Sequence, residues 1–201
     1  MPSHLLNFAR RPVTAFALAF TSCLVGACDS GSNEASTSGS DVSVSCDDLD
    51  DWDPAWADFE DEVLALSNEA REKGHDCDSE GSFGPAAPLT MEPRLRCAAR
   101  AHSAYMAEHG EFDHIQARTG SDPFDRIADT GYQFSAAGEN IALGQRTPAE
   151  VVAGWLDSDG HCANIMSPDF RELGVGYALG SGAPIGSSEA AYWTQVFGSE
   201  R

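Results

Sequence analysis

The stretch SDGHCANIM, residues 158–166, sets His161 directly beside Cys162. Three chemistries use such a pair: metal ligation by imidazole and thiolate, nucleophilic catalysis by an activated thiolate, or a disulfide cysteine that adjoins a site histidine. Neighbours on a helix point about 100° apart, so His161 is badly aimed to act as the base for Cys162. None of the six cysteines shows C-x-x-C spacing, which argues against a structural zinc site. Cys23 falls in an N-terminal leader and Cys28 directly follows it, which leaves Cys46, Cys77, Cys97 and Cys162. An even set in an exported chain reads as two disulfides, with three pairings open.

The leader is Arg10 and Arg11 followed by the apolar run PVTAFALAFTSCLVGA, which ends at Cys28. That is the anatomy of a secretory signal, too short for the roughly 20 apolar residues of a spanning helix. Val25-Gly26-Ala27-Cys28 resembles the lipobox of bacterial lipoproteins, which implies a signal peptide over residues 1–27 and lipidation of Cys28. DSGSNEASTSGSDVSVS, residues 29–45, carries too few large apolar residues to fold, so residues 28–50 read as a Ser/Gly/Asp-rich tether. With 32 acidic residues against 12 basic ones the net charge is −20. Nucleic acid is an unfavourable partner for such a chain, and contact with a membrane would come through the lipid alone.

The elements that must position any site lie in residues 51–201, a length suited to one domain. Trp56, Phe59, Val63, Leu66 and Ala70 share a face at helical spacing over residues 56–73. In MEPRLRCAARAHSAYMAEHG, Pro93 opens and Gly110 closes a second helix, with Leu95, Ala99, His102 and Met106 in one stripe. A short helix is expected at PFDRIAD, and TPAEVVAGWLDS opens with a capping box of Thr147 and Glu150 around Pro148. ELGVGYAL and AAYWTQVF read as an antiparallel pair of strands. Helices first and strands last predict an α+β layered domain.

From His114 onward the chain resembles the CAP superfamily, also called the SCP domain, and its short bacterial branch in particular. The resemblance is carried in order by HSAYMAEHGEFDH ending at His114, GENIALG at 138–144, WLDSDGHCANIM at 155–166, ELGVGYA at 172–178 and YWTQVFG at 192–198. It implies a three-layer α–β–α sandwich with a small antiparallel sheet between helices. It also implies a cleft in which some members hold a divalent, zinc-like cation through two histidines, here His114 and His161, beside the glutamate of the GEN motif, here Glu139. Eukaryotic members place a second glutamate three residues after the helix tryptophan, where this chain has Ser158 after Trp155. In the bacterial branch a cysteine after the first helix pairs with that of the GHC motif, which implies Cys77–Cys162 and leaves Cys46 to Cys97.

Two imidazoles and a carboxylate would make a zinc shell with an open position for water. Glu139 would alternatively serve as a general base, orient a histidine, or hold its own loop, with Gly138 supplying an unusual backbone and Asn140 pinning the loop. Ser158 is expected as the N-cap of the HCANIM helix rather than a nucleophile. His102 and His109 are expected to be structural, and Trp155, Trp193 and Phe197 to lie in the core. Two functions compete: an exported, surface-anchored binding module for a cation or an envelope or small apolar ligand, and a divalent-metal hydrolase of peptides or envelope material. The absent second glutamate favours binding, because catalysis needs its acid–base groups in place. Lipid or sterol binding is a third reading, with precedent in the superfamily.

Overall fold

The computed structural model describes Cys46, residues 51–180 and residues 189–201. The leader and lipobox, most of the tether and the 181–188 connection lie outside the described residues. Helix α1 (Pro54–Lys73) starts two residues earlier than its apolar stripe suggested, because Pro54 follows an Asp53 whose carboxylate accepts the Ala55 N–H at 2.8 Å. Helix α2 (Pro93–His109) is capped by Glu92, which accepts from Leu95 N, and is closed by Gly110 at φ 65°. Helix α3 (Pro123–Asp129) opens with a reciprocal Asp122/Asp125 capping box, and α4 (Pro148–Leu156) opens with the expected Thr147/Glu150 box. Helix α5 (Asp159–Met166) follows directly, with Ser158 at its N-cap position; the Ser158 side chain makes no cap hydrogen bond there.

A two-residue hairpin, β1 (His75–Asp76) with β2 (Ser82–Phe83), flanks the turn that carries Cys77. The main sheet has the order β3-β5-β6-β4 and consists of β3 (Thr90–Met91), β4 (Phe134–Leu143), β5 (Glu172–Gly180) and β6 (Ala190–Glu200). Its three long strands are antiparallel, and the short β3 adds a parallel edge beside β5. The strand pair expected from ELGVGYAL and AAYWTQVF is the centre of this sheet.

Helices α1, α4 and α5 cover one face, and α2 and α3 cover the other, which makes three layers. Alternation assigns the faces. Leu173, Val175, Tyr177, Trp193 and Phe197 point into the α1 side, with Val63 and Trp155. Ala178, Tyr192 and Val196 point toward α2. Trp155, Trp193 and Phe197 are all buried. The α2 backbone lies directly on β5: a Cβ at Gly174 would sit 2.0 Å from the Leu95 carbonyl carbon, and one at Gly176 would sit 2.4 Å from that of Ala99. Glycine at alternate positions of β5 therefore sets the helix–sheet distance, a role its place in a strand pattern does not reveal.

Both disulfides form as the resemblance implied. Cys46 is bonded to Cys97 on α2, and Cys77 to Cys162 on α5, each across a Cα–Cα distance of 5.5 Å. Among the described residues no helix is long and apolar enough to cross a membrane.

Candidate functional site

Strand β4 is an edge of the main sheet, and the GEN motif lies within it rather than in a loop. Consecutive strand residues face opposite layers, so Glu139 turns toward α2 and α3 while Asn140 turns toward α5. Gly138 has no positive φ. What demands glycine there is space: a Cβ would lie 3.0 Å from the Phe170 ring and 3.4 Å from Asn164 Oδ1. The expected backbone irregularity is thus replaced by close packing under Phe170.

Glu139 is buried, and both of its oxygens are engaged. Oε1 is 2.8 Å from His114 Nδ1, and Oε2 accepts from Arg126 Nη2 at 2.8 Å. Burial opposes ionisation of this carboxyl, yet the Arg126 guanidinium, His102 and His114 outweigh it and hold its pKa down to about 2. Arg126 comes from α3, and the same Nη2 also donates to the His114 carbonyl at 3.0 Å, tying the loop after α2 to the carboxylate. That loop is folded around Tyr105, whose hydroxyl donates to Glu111 and accepts from Arg118 N. His102, wholly buried on α2, lies 3.8 Å from Glu139 Oε1. Its Nε2 is 3.0 Å from the Asp113 carbonyl, to which it must donate, and its Nδ1 is 3.5 Å from Gln116 Nε2. Burial is the main reason its pKa falls to about 4, so the ring is neutral. His109 stacks edge-on against Tyr105.

On the opposite side of β4, Asn140 donates to the His161 carbonyl and to Gln195 Oε1, both at 3.1 Å, and accepts from Asn164 at 2.8 Å. Gln195 continues the network to Ser67 on α1. Asn140 therefore pins helix α5, not a loop. The outward carbonyls of β4 are covered as well: Asn164 donates to Glu139 O, and Trp155 Nε1 donates to Ile141 O. These contacts, with the Cys77–Cys162 bond and a Ser79–Asp159 hydrogen bond, fix α5 and hence His161. His161 is partly exposed; burial foremost, and the His114 ring across the edge of β4 secondarily, lower its pKa to about 4.

The site thus joins His114 to Glu139 directly and brings His161 within electrostatic reach of His114, but no hydrogen bond links His161 to Glu139 among those described. Asn140 supports the site from behind, and Ser158 only begins the helix that carries His161. Arg126, Gln116, Asn164 and Gln195 belong to it and were not foreseen. The donor set does not fit a zinc centre of three protein ligands: Glu139 is already paired with Arg126 and His114. Among the described residues no group of three or more His, Cys, Asp or Glu side chains is placed to hold a metal ion. Beside His114, Phe112 and Ile115 are exposed large apolar residues, and they line a shallow depression with Glu111, Asp113 and Ala117.

The buried histidines make stability depend on pH. Folded His102 and His161 titrate near 4 rather than 6.5, so between those values the unfolded chain binds more protons. Their contribution is complete above about pH 6.5 and is lost as the pH falls toward 4; the Glu139 contribution, present above 4.5, is lost only toward pH 2. Urea unfolding at pH 7.5 and 4.5 should show a drop of about 3 kcal/mol, mainly from the wholly buried His102, and His102→Gln should flatten it. An unfolding midpoint that does not move between those pH values would contradict the assigned burial of charge.

Residues 64–197 match the family model described as "Cysteine-rich secretory protein family", or CAP. The chain is 38% identical over 139 residues to the uncharacterized protein YkwD of Bacillus subtilis, covering 69% of this chain and 46% of that one. It is 39% identical over 75 residues to the uncharacterized membrane protein YlbC of the same species, covering 37% of this chain and 21% of that one. It therefore spans less than half the length of these relatives. Its fold is similar to that of an extracellular SCP-domain protein from Bacillus anthracis (TM-score 0.58, 24% identity, 72% of this chain and 41% of that one). It is also similar to that of an outer surface protein from Borrelia burgdorferi (TM-score 0.54, 19% identity, 69% of this chain and 90% of that one).

Proposed function

Because this chain belongs to the cysteine-rich secretory protein (CAP) family, we propose that it is an exported binding module, held at a bacterial envelope surface by a lipid on Cys28. Its cleft would take a small apolar or envelope-derived ligand without turning it over. Two disulfides support an oxidising compartment, and the lipobox supports the anchor. The observation that carries the binding reading is the state of Glu139: buried, ionised and spoken for at both oxygens, it is poorly placed to take a proton from water or to complete a metal shell. The second glutamate of the eukaryotic pattern is Ser158 here, so no other carboxylate takes over by motif. A divalent cation would have His114 and His161 as its ligands and would need the rest of its shell from solvent or ligand. The metal-hydrolase reading is correspondingly the weaker one.

The ligand's apolar character is supported by Phe112 and Ile115, which stand exposed on either side of His114 in sequence. A lipid or sterol would be one such ligand. Nucleic acid is excluded from the proposal by the charge of −20. Fluorescence titration with an anilinonaphthalene sulfonate probe tests the surface. Native oxidised protein should bind the probe, and Phe112→Ser/Ile115→Ser should weaken binding about tenfold or more, the worth of two partly buried apolar side chains. Unchanged probe binding in the double variant would remove the rim from the ligand site.

A further inference from the structure

The stretch that follows α2 is pinned from its inner side. Tyr105 donates its hydroxyl to Glu111 Oε2 and accepts from Arg118 N, and the same Glu111 oxygen accepts from Ala117 N. Buried His102 donates to the Asp113 carbonyl at 3.0 Å, and Asp113 Oδ1 accepts from Ile115 N at 2.9 Å. On this fixed backbone Phe112 and Ile115 nevertheless face outward, 45% and 49% exposed. Neighbouring large apolar side chains held in water by a well-anchored loop mark a contact surface, because packing of the fold does not require them there.

Their surroundings are acidic. The shallow depression that they line with Ala117 is flanked by Glu111 and Asp113. Asp113 is exposed, and its Oδ2 has no partner among the described contacts. From Glu108 to Arg118 the chain carries three carboxylates and one guanidinium, and that guanidinium lies 3.8 Å from Glu111. The patch keeps a negative balance on a chain of net charge −20, which repels anionic lipid and attracts cations. A depression so shallow does not surround a small molecule, whereas a peptide can lie across it. We propose that the Phe112/Ile115 depression docks a peptide segment that sets lysine or arginine beside apolar side chains. The apolar residues cover Phe112 and Ile115, and the bases meet Asp113 and Glu111. This deepens the proposed binding role, on which it rests, by naming the chemistry of the partner.

Anisotropy titrations of the oxidised protein use three peptides with a neutral coumarin label and a central Phe-Leu pair, flanked on both sides by Lys, by Ser or by Glu. Wild type should bind the Lys peptide about fivefold or more tighter than the Ser peptide, the scale of two exposed ion pairs, and the Glu peptide more weakly still. Glu111→Gln/Asp113→Asn keeps an acceptor oxygen at each position and should erase the Lys advantage. Phe112→Ser/Ile115→Ser should weaken binding of all three. Asp58→Asn/Glu62→Gln removes two exposed carboxylates from α1 and should leave the preference intact. No Lys advantage in wild type would overturn the proposal even if no variant folds. An equal loss in the α1 variant would also overturn it, by assigning the preference to the overall charge. The sulfonate probe is an anion and should bind Glu111→Gln/Asp113→Asn at least as well as wild type. If that probe binds wild type and the Lys peptide does not, the peptide proposal falls and the apolar surface stands.

Discussion

Replacing Arg71 with methionine is expected to lower the free energy of unfolding by about 3–5 kcal/mol. Arg71 is completely buried on α1 and has no carboxylate partner among its described hydrogen bonds. Its guanidinium donates instead to four backbone carbonyls: Ala87 at 2.7 Å, Ile165 at 2.7 Å, Ser167 at 2.8 Å and Phe170 at 3.3 Å. Burial, with Arg171 nearby, lowers its pKa to about 10, so it stays charged at neutral pH at a desolvation cost of about 3 kcal/mol. Methionine recovers that cost but strands the Ala87, Ile165 and Ser167 carbonyls, each worth about 1–3 kcal/mol when buried and unpaired, while the Phe170 carbonyl keeps Arg171 Nη1 at 3.2 Å. The carbonyls win. Two of them, Ile165 and Ser167, lie at the C-terminal end of α5, where a cation is also favoured by the helix dipole. Equilibrium urea unfolding at pH 7.5 checks the value; a loss under about 1 kcal/mol would mean that water reaches those carbonyls.

The second large effect is steric. Gly176→Ala should cost more than about 3 kcal/mol and should leave much of the protein unfolded. The added Cβ would lie 2.4 Å from the carbonyl carbon and oxygen of Ala99 and 2.5 Å from Arg100 N. Those are backbone atoms of a helix that cannot swing aside, so α2 as a whole must lift from the sheet. The same substitution at exposed Gly84, whose Cβ would meet nothing within 4 Å, should move stability by no more than about 0.5 kcal/mol. Circular dichroism melts of the two variants make the comparison. A Gly176→Ala protein as stable as Gly84→Ala would show that α2 does not rest on β5 as closely as described.

These two residues also show what could be read from the chain. Helix α1 was legible from its apolar stripe, though not its Asp53-Pro54 start; α2 was legible from Pro93, Gly110 and a stripe, and α4 from the Thr147/Glu150 capping box around Pro148. Strands β5 and β6 were legible from their β-branched and aromatic residues. Strand β4 was not, because FSAAGENIAL places Gly, Glu and Asn at its centre, residues that strands disfavour and that alternation assigns to no apolar face. Glu139 and Asn140 are both buried, one in each layer, and are satisfied only by partners from distant elements. His114, Glu139 and His161 were found through motifs; nothing in their spacing announces that His114 pairs with Glu139 at a sheet edge, with His161 in electrostatic reach of His114. Arg71 and Arg126 went unremarked, although Arg71 falls eight residues after Val63 and four after Ser67, on the buried side of α1. A basic residue on an otherwise buried helix face was the available signal.

The proposed role turns on whether His114 and His161 form a metal centre. Zinc titrated calorimetrically into oxidised, metal-stripped protein, beside His114→Ala and His161→Ala, decides this most directly. A binding module with Glu139 committed to Arg126 and His114 predicts no zinc affinity tighter than about micromolar. Micromolar or tighter binding in the wild type, lost in both variants, would contradict it and make the metal hydrolase the better reading.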